Sequence, residues 1–265
     1  MSTSSTTAKM KSKRQQTLQT TLSQYKLDKH SSNDKSETPT NTRIGSKDAN
    51  IHGGSYLIPD SEYSEFMKKV KSSTMNGQYE YLTEKQFVEG TLAIDMDLHY
   101  DYEVEDRQHN KSHVDDLIDV ICSNLNDMYV FNCEQNIVCY VMQKPDVNRV
   151  KEKNITKDGI HLLFNIKMDR TAMKYLREQL ISNIAEIWDV PIINTWGGVF
   201  DEGVMKGTTN WQLYGSRKPH HGRYTVSYIY DIGYDETDNE FIRDEISNVS
   251  AHLDELDWIN LSVRN

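Results

Sequence analysis

The sequence predicts an α+β fold, with helices packed on a largely antiparallel sheet, and three observations predict it. Runs with period-two alternation at 91–100 and 158–168 accompany a β-branched and aromatic run at 136–144. Two stretches, 113–128 and 170–188, repeat apolar residues at three- and four-residue steps. The resulting order is strand, helix, strand, strand, helix, then further strands, without an internal repeat.

Residues 1–52 are rich in Ser, Thr, Lys and Gln and poor in large apolar side chains, so a disordered basic tail is expected. Within it, Gln19, Leu22 and Tyr25 have the spacing of a sliding-clamp-binding peptide over 19–26, with Lys26 where that pattern has a second aromatic. An ordered domain is expected over 53–232. There "PDSEYSEFMKKVKSS" begins acidic and ends in lysines, as a short helix does, and "QYEYLTE" reads as a weak strand. The strand "TLAIDMDLHY" (91–100) follows. Ser112 and Asp115 have capping-box spacing, after which Val114, Leu117, Ile118, Ile121, Cys122, Leu125 and Met128 mark one helix face. "NIVCYVMQK" (136–144) and "DGIHLLFNIKM" (158–168) are strands. Asp169 is placed to cap a helix whose stripe is Met173, Leu176, Leu180, Ile184 and Ile187, running on to Trp188. "TNWQLYGS" and "RYTVSYIYDI" read as strands around a basic turn. Residues 233–265 are acidic and faintly periodic, a terminal helix or linker.

At 265 residues, 37% hydrophobic and 26% charged, the chain has globular composition and length for one large or two small domains. No window nears the roughly 18 uncharged apolar residues of a membrane span, and no signal peptide is visible, so an intracellular protein is expected. Cys122, Cys133 and Cys139 match no zinc spacing and read as unpaired thiols. The net charge of −10 is uneven. Residues 1–50 carry nine Lys or Arg against four Asp or Glu, about +5, which leaves about −15 for the rest. A body that acidic excludes a wide phosphate-binding surface. Its charge is left to frame a local groove or to collect metal ions.

Strand side chains alternate, so Leu92, Ile94, Met96 and Leu98 point one way while Ala93, Asp95 and Asp97 point the other. With about 7 Å between their α-carbons, the two carboxylates repel unless a cation stands between them. Mg²⁺ or Mn²⁺, hard and oxygen-seeking, resolves the repulsion; a solvated strand end is the plainer alternative. In 158–168, Ile160, Leu162, Phe164 and Ile166 face the core, and Gly159, His161, Leu163 and Asn165 the other side. His161 shares the acids' open face if the strands lie close; otherwise it is a hydrogen-bonded structural residue. Gly159 leaves room for a ligand to approach the backbone. In "WGGVFDEGVMKGTTNWQLYGSRKPHHGR" (196–223), Asp201 offers a third carboxylate and Glu202 competes for that role. Arg217, Lys218, His220, His221 and Arg223 then form a compact basic cluster suited to phosphate, or simply a solvated hairpin.

Hydrophobic-Asp-hydrophobic-Asp in "LAIDMDL", Gly-x-His in "DGIHLLF" and hydrophobic-Asp in "VFDEGV", in that order, resemble the archaeo-eukaryotic primase superfamily. The continuation "NWQLYGSRKP" resembles the segment after the third motif in helicase-primases of large DNA viruses. The resemblance covers roughly 85–230. It implies an RNA-recognition-like antiparallel sheet with packed helices, paired with a second α/β unit. It implies that Asp95, Asp97 and Asp201 bind two divalent ions, Mg²⁺ or Mn²⁺, for nucleotide addition. It also implies that His161, Lys218 and, less directly, Arg217 contact the triphosphate. The family usually has Ser at the position of Gly159, so a hydroxyl contact is missing and a backbone N–H could replace it. The zinc module of many relatives has no matching cysteine set here.

The expected activity is therefore a DNA primase or primase-polymerase, making short primers on single-stranded DNA from nucleoside triphosphates. Trp211 or Tyr214 would stack on template bases, or pack in the core. A metal-dependent nuclease and a non-catalytic nucleic-acid-binding domain on the same fold are the alternatives; nucleotide incorporation separates the first, and tolerance of Asp95→Asn the second. No G-x-x-x-x-G-K-[ST] is present, so a helicase motor would be a further domain or a separate subunit. If the viral resemblance extends to origin, the site of action is host cytoplasm or a viral replication compartment.

Overall fold

The computed structural model of the protein describes residues 18–27 and 38–265. These fall into two compact units: one contains residues up to Lys85 with Asn210–Arg223 and Leu253–Asn265, the other Gln86–Thr209 with Tyr224–His252. Among the described residues, no helix is long and apolar enough to cross a membrane.

The first unit holds a four-stranded sheet in the order β2-β1-β3-β8, with β1 at Asn41–Arg43, β2 at Gly54–Tyr56, β3 at Leu82–Glu84 and β8 at Trp211–Gln212. All its pairs are antiparallel. Helix α2, Asp60–Met75, carries Asp60 and Glu62 in its first turn, where the helix dipole favours negative charge, and buries Tyr63, Phe66, Met67 and Val70. It runs past its lysines, so no basic residue occupies the last turn. The expected tail is corrected here. Residues 18–24 form a helix, α1, that buries Leu18 and Leu22 completely or nearly so, and Asn41–Arg43 lies in the sheet. Two leucines suffice because they join a core supplied by residues far along the chain. The rest of that expectation, residues 1–17 and 28–37, lies outside the described residues.

The carboxyl-terminal residues complete this unit rather than trailing from it. Trp258 and Leu261 are buried in a 3₁₀ turn, and Glu84 of β3 accepts hydrogen bonds from the Ser262 hydroxyl (2.5 Å), the Val263 N–H (3.1 Å) and the Tyr63 hydroxyl (3.0 Å). The expectation of a plain terminal helix or linker over 233–265 is thus corrected: one short helix, Val249–Glu255, is present, but strand β10 (Glu240–Glu245) precedes it.

The second unit is a six-stranded antiparallel sheet. Its main path is β10-β9-β5-β7-β4, with β6 beside β7. The strands are β4 (Glu89–Asp101), β5 (Ile137–Gln143), β6 (Asn148–Val150), β7 (Ile155–Asp169) and β9 (Thr225–Asp235). Helices α3 (Lys111–Met128) and α4 (Arg170–Ile187) cover one face. The alternation read from the sequence holds: Leu92, Ile94, Met96, Leu98, Ile160, Leu162 and Phe164 join Leu117, Ile121, Leu176 and Leu180 in one buried core. Asp169 caps α4 by accepting from the Thr171 and Ala172 N–H groups. Three local expectations are corrected. The capping box of α3 is Asn110 with His113, because Ser112 already lies inside the first turn. Ile187 is exposed, since α4 ends there and its stripe turns to solvent. The run "TNWQLYGS" gives only a two-residue strand before the chain turns through Gly215 at φ +83°, a conformation that favours glycine.

Candidate active site

The site grows from the pairing of β4 with β7. Their register sets Asp95 opposite His161, Asp97 opposite Gly159 and His99 opposite Lys157. Period-two alternation then puts all six on the sheet face away from α3 and α4. A register shift between Thr91 and Leu92 fixes this alignment. The His161 imidazole, its side chain only 6% exposed, has Nε2 3.3 Å from Asp95 Oδ1. Asp97 Oδ2 is met by Lys157 Nζ at 2.6 Å and His99 Nε2 at 3.2 Å.

Asp201 comes to the same strand along the free edge of β4. Its backbone N–H donates to the Asp95 carbonyl at 2.9 Å, and Phe200 bridges Met96. Its carboxylate accepts the Val204 N–H at 2.9 Å, capping the short helix Glu202–Met205. Glu202 is instead paired with Lys206 at 2.7 Å, which holds its carboxyl below the usual range. Asn194, not read from the sequence, fastens the edge: it donates to the Asp97 carbonyl (2.8 Å) and accepts from the His99 N–H (3.0 Å). The structure therefore places Asp95, Asp97 and His161 on one face of the β4–β7 pair, with the Asp201 backbone tied beside Asp95 at the middle of β4. Among the described residues, no three His, Cys, Asp or Glu side chains are gathered closely enough to hold a metal ion.

A second layer was invisible in the sequence. The Tyr224 ring stacks on His161 with centroids 3.6 Å apart and planes 19° from parallel, and Lys144 Nζ lies 4.7 Å from the Tyr224 centroid. Burial pushes the Tyr224 phenol well above its ordinary range, and the charges of Asp95, Asp97 and Asp158 push the same way. The room expected above Gly159 is filled by this residue: a methyl group added at Gly159 would overlap the Tyr224 hydroxyl and stand 3.1 Å from the Met96 carbonyl oxygen. The backbone N–H expected to serve a ligand is also engaged, donating to Asp158 Oδ1 at 2.9 Å. Asp158, its side chain 1% exposed, takes a two-pronged ion pair from Arg107 (2.8 and 3.0 Å), which also donates to the Lys144 carbonyl. Beside it, His109 Nδ1 is 3.5 Å from Asp158, and burial pushes that imidazole down to about 4, so it is neutral.

Arg217 and Lys218 belong to the first unit, not to the one that carries His161. Arg217 donates its N–H to the Glu80 carbonyl at 2.9 Å and sets its guanidinium 3.7 Å from the Tyr79 ring centroid, while Lys218 is exposed. His220, at φ +65°, pairs with Asp48 at 2.6 Å. Trp211 and Tyr214 are buried, so neither offers a face for bases. Leu22 of the expected clamp peptide is likewise buried, and the Tyr25 hydroxyl donates to Glu62; the pattern's apolar plug is thus part of the core.

No curated protein matches the chain. The C962R protein N-terminal AEP domain family matches residues 47–230, a span that takes in β4, β7, Asp201 and the basic turn. The Asp95–His161 pairing and the Asp201 backbone tie lie inside that match, and the chain belongs to this family of archaeo-eukaryotic primase domains.

Proposed function

We propose that the chain is the catalytic domain of a DNA primase or primase-polymerase, joining nucleotides on a single-stranded DNA template. The observation that carries this reading is the convergence of Asp95, His161, Asp97 and the Asp201 backbone around the middle of β4. The β-α-β-β-α-β order of β4, α3, β5, β7, α4 and β9 supports an RNA-recognition-like catalytic core.

The donor set suits hard divalent ions in its chemistry. Asp95, Asp97 and Asp201 offer carboxylate oxygens, and the Asp95 and Asp97 side chains are 25% and 45% exposed. Two Mg²⁺ or Mn²⁺ ions held there would supply charge neutralisation and an activated hydroxyl. Asp97, now paired with Lys157 and His99, would hold such an ion only on leaving those partners. His161 is oriented by Asp95 at Nε2 and by Tyr224 on its face, and this fixed ring is proposed to meet an incoming phosphate oxygen. Lys157, once released, and Lys144 add positive charge around that phosphate. A helicase domain or subunit is proposed as the partner. Primer synthesis on single-stranded DNA with Mg²⁺ or Mn²⁺ tests the reading. The intact chain makes labelled short products and Asp95→Ala makes none. Equal product from both overturns it.

A further inference from the structure

The first unit contains a cleft of about 600 Å³, within the size range of ligand sites. Lys26, Arg43, His52, Tyr56, Tyr79 and Tyr81 line it. Among the described residues Glu80 is the one acid in its wall, and the Arg43 guanidinium pairs with that carboxylate at 3.0 Å. In a chain of net charge −10, a wall of three tyrosines whose Lys26 charge stands beyond the Arg43–Glu80 pair suits an anionic, aromatic ligand.

Tyr79 is the exposed member, with 52% of its surface open to solvent. The Arg217 guanidinium stacks 3.7 Å from its centroid and that of Arg223 lies 6.0 Å away. This stack is built, not incidental. The Arg217 N–H is bonded to the Glu80 carbonyl, and Glu80 bridges Ser216 in parallel, so the turn carrying Arg217 is tied to the residue after Tyr79. A half-exposed ring with a guanidinium already stacked on it is a platform for a second π-system, and the arginines beside it suit a phosphodiester.

We propose that this cleft takes an unpaired base of single-stranded nucleic acid, stacked on Tyr79, with Arg217 and Arg223 beside the adjoining phosphates. The proposal deepens the primase reading by naming a place where the template is gripped, and rests on that reading for the strand's role. Its test needs no metal and no catalysis: fluorescence anisotropy of a labelled oligothymidylate with the full chain in EDTA. Tyr79→Ala weakens binding about tenfold or more, the usual worth of one stacked base. Tyr79→Phe, which keeps the ring, stays within about twofold. Arg217→Lys, which keeps the charge but loses the planar stack, falls between. Binding by Tyr79→Ala equal to the parent overturns the proposal, as does an equal loss in Tyr79→Phe. So does duplex DNA binding as tightly as the single strand. Incorporation by the parent chain reports on the primase reading and anisotropy in EDTA on this one, so the two fail separately.

Discussion

Replacing Arg107 by Met tests whether the charge network beneath Tyr224 carries the second unit's stability. The guanidinium makes two bonds to Asp158, at 2.8 and 3.0 Å, and the carboxylate it neutralises is 1% exposed. Truncation leaves that charge with the Gly159 N–H at 2.9 Å and a neutral His109. Stripping one partner from a buried pair costs about 3–5 kcal/mol, because the remaining ion stays desolvated without its counter-charge. Such a loss lowers the urea midpoint by on the order of 1 M or more, read by far-ultraviolet circular dichroism. The paired change Arg107→Met with Asp158→Asn removes the stranded charge and recovers most of the loss, since a buried pair is worth far less than one of its orphaned halves. An Arg107→Met chain within about 1 kcal/mol of the parent refutes the reasoning. So does a double variant no more stable than the single one.

Two further outcomes follow from the same coordinates. Burial pushes the Glu84 carboxyl up to about 7 from 4.5, against the donors Ser262, Val263 and Tyr63 and the Arg264 charge. The fold favours its protonated form, so this contribution is fully present below about 4.5, is lost as pH rises to about 7, and is flat beyond; at about 1.4 kcal/mol per pH unit the loss is roughly 3 kcal/mol. Chemical unfolding across that range shows the decline in the parent and not in Glu84→Gln, and matching slopes would remove Glu84 as its source. Gly159→Ala drives a methyl into Tyr224 and costs about 1–3 kcal/mol by overpacking. Thermal unfolding of Gly159→Ala with Tyr224→Ala is then close to that of Tyr224→Ala alone, whereas additive losses would place the strain elsewhere.

The open face of the site could be read from the chain because alternation in a strand is a local property: Asp95, Asp97 and His161 each carry their orientation in their own segment. Which acid meets the histidine could not, since that depends on the register shift at Thr91/Leu92, where one residue displaced changes every partner. Tyr224 escaped notice because it stands at the end of a basic turn, and nothing local says that the turn returns it to β7. Asp158 and Arg107 are 51 residues apart, and each alone reads as an ordinary surface charge. Leu18 and Leu22 were lost for the opposite reason: two apolar residues in a polar segment look too few to fold until their distant partners are counted.

The Glu84 cluster also sets a timetable. The Ser262 hydroxyl that bonds this carboxylate lies 178 residues further along the chain, an interval of roughly ten to thirty seconds at ribosomal elongation rates. The sheet bearing Asp95 and His161 finishes emerging first, since its last strand ends at Glu245. During translation, β3 and α2 wait with an unsatisfied acid and uncovered apolar surface. A frameshift ahead of Leu253 would strip the earliest-made strands of the partners that cover them.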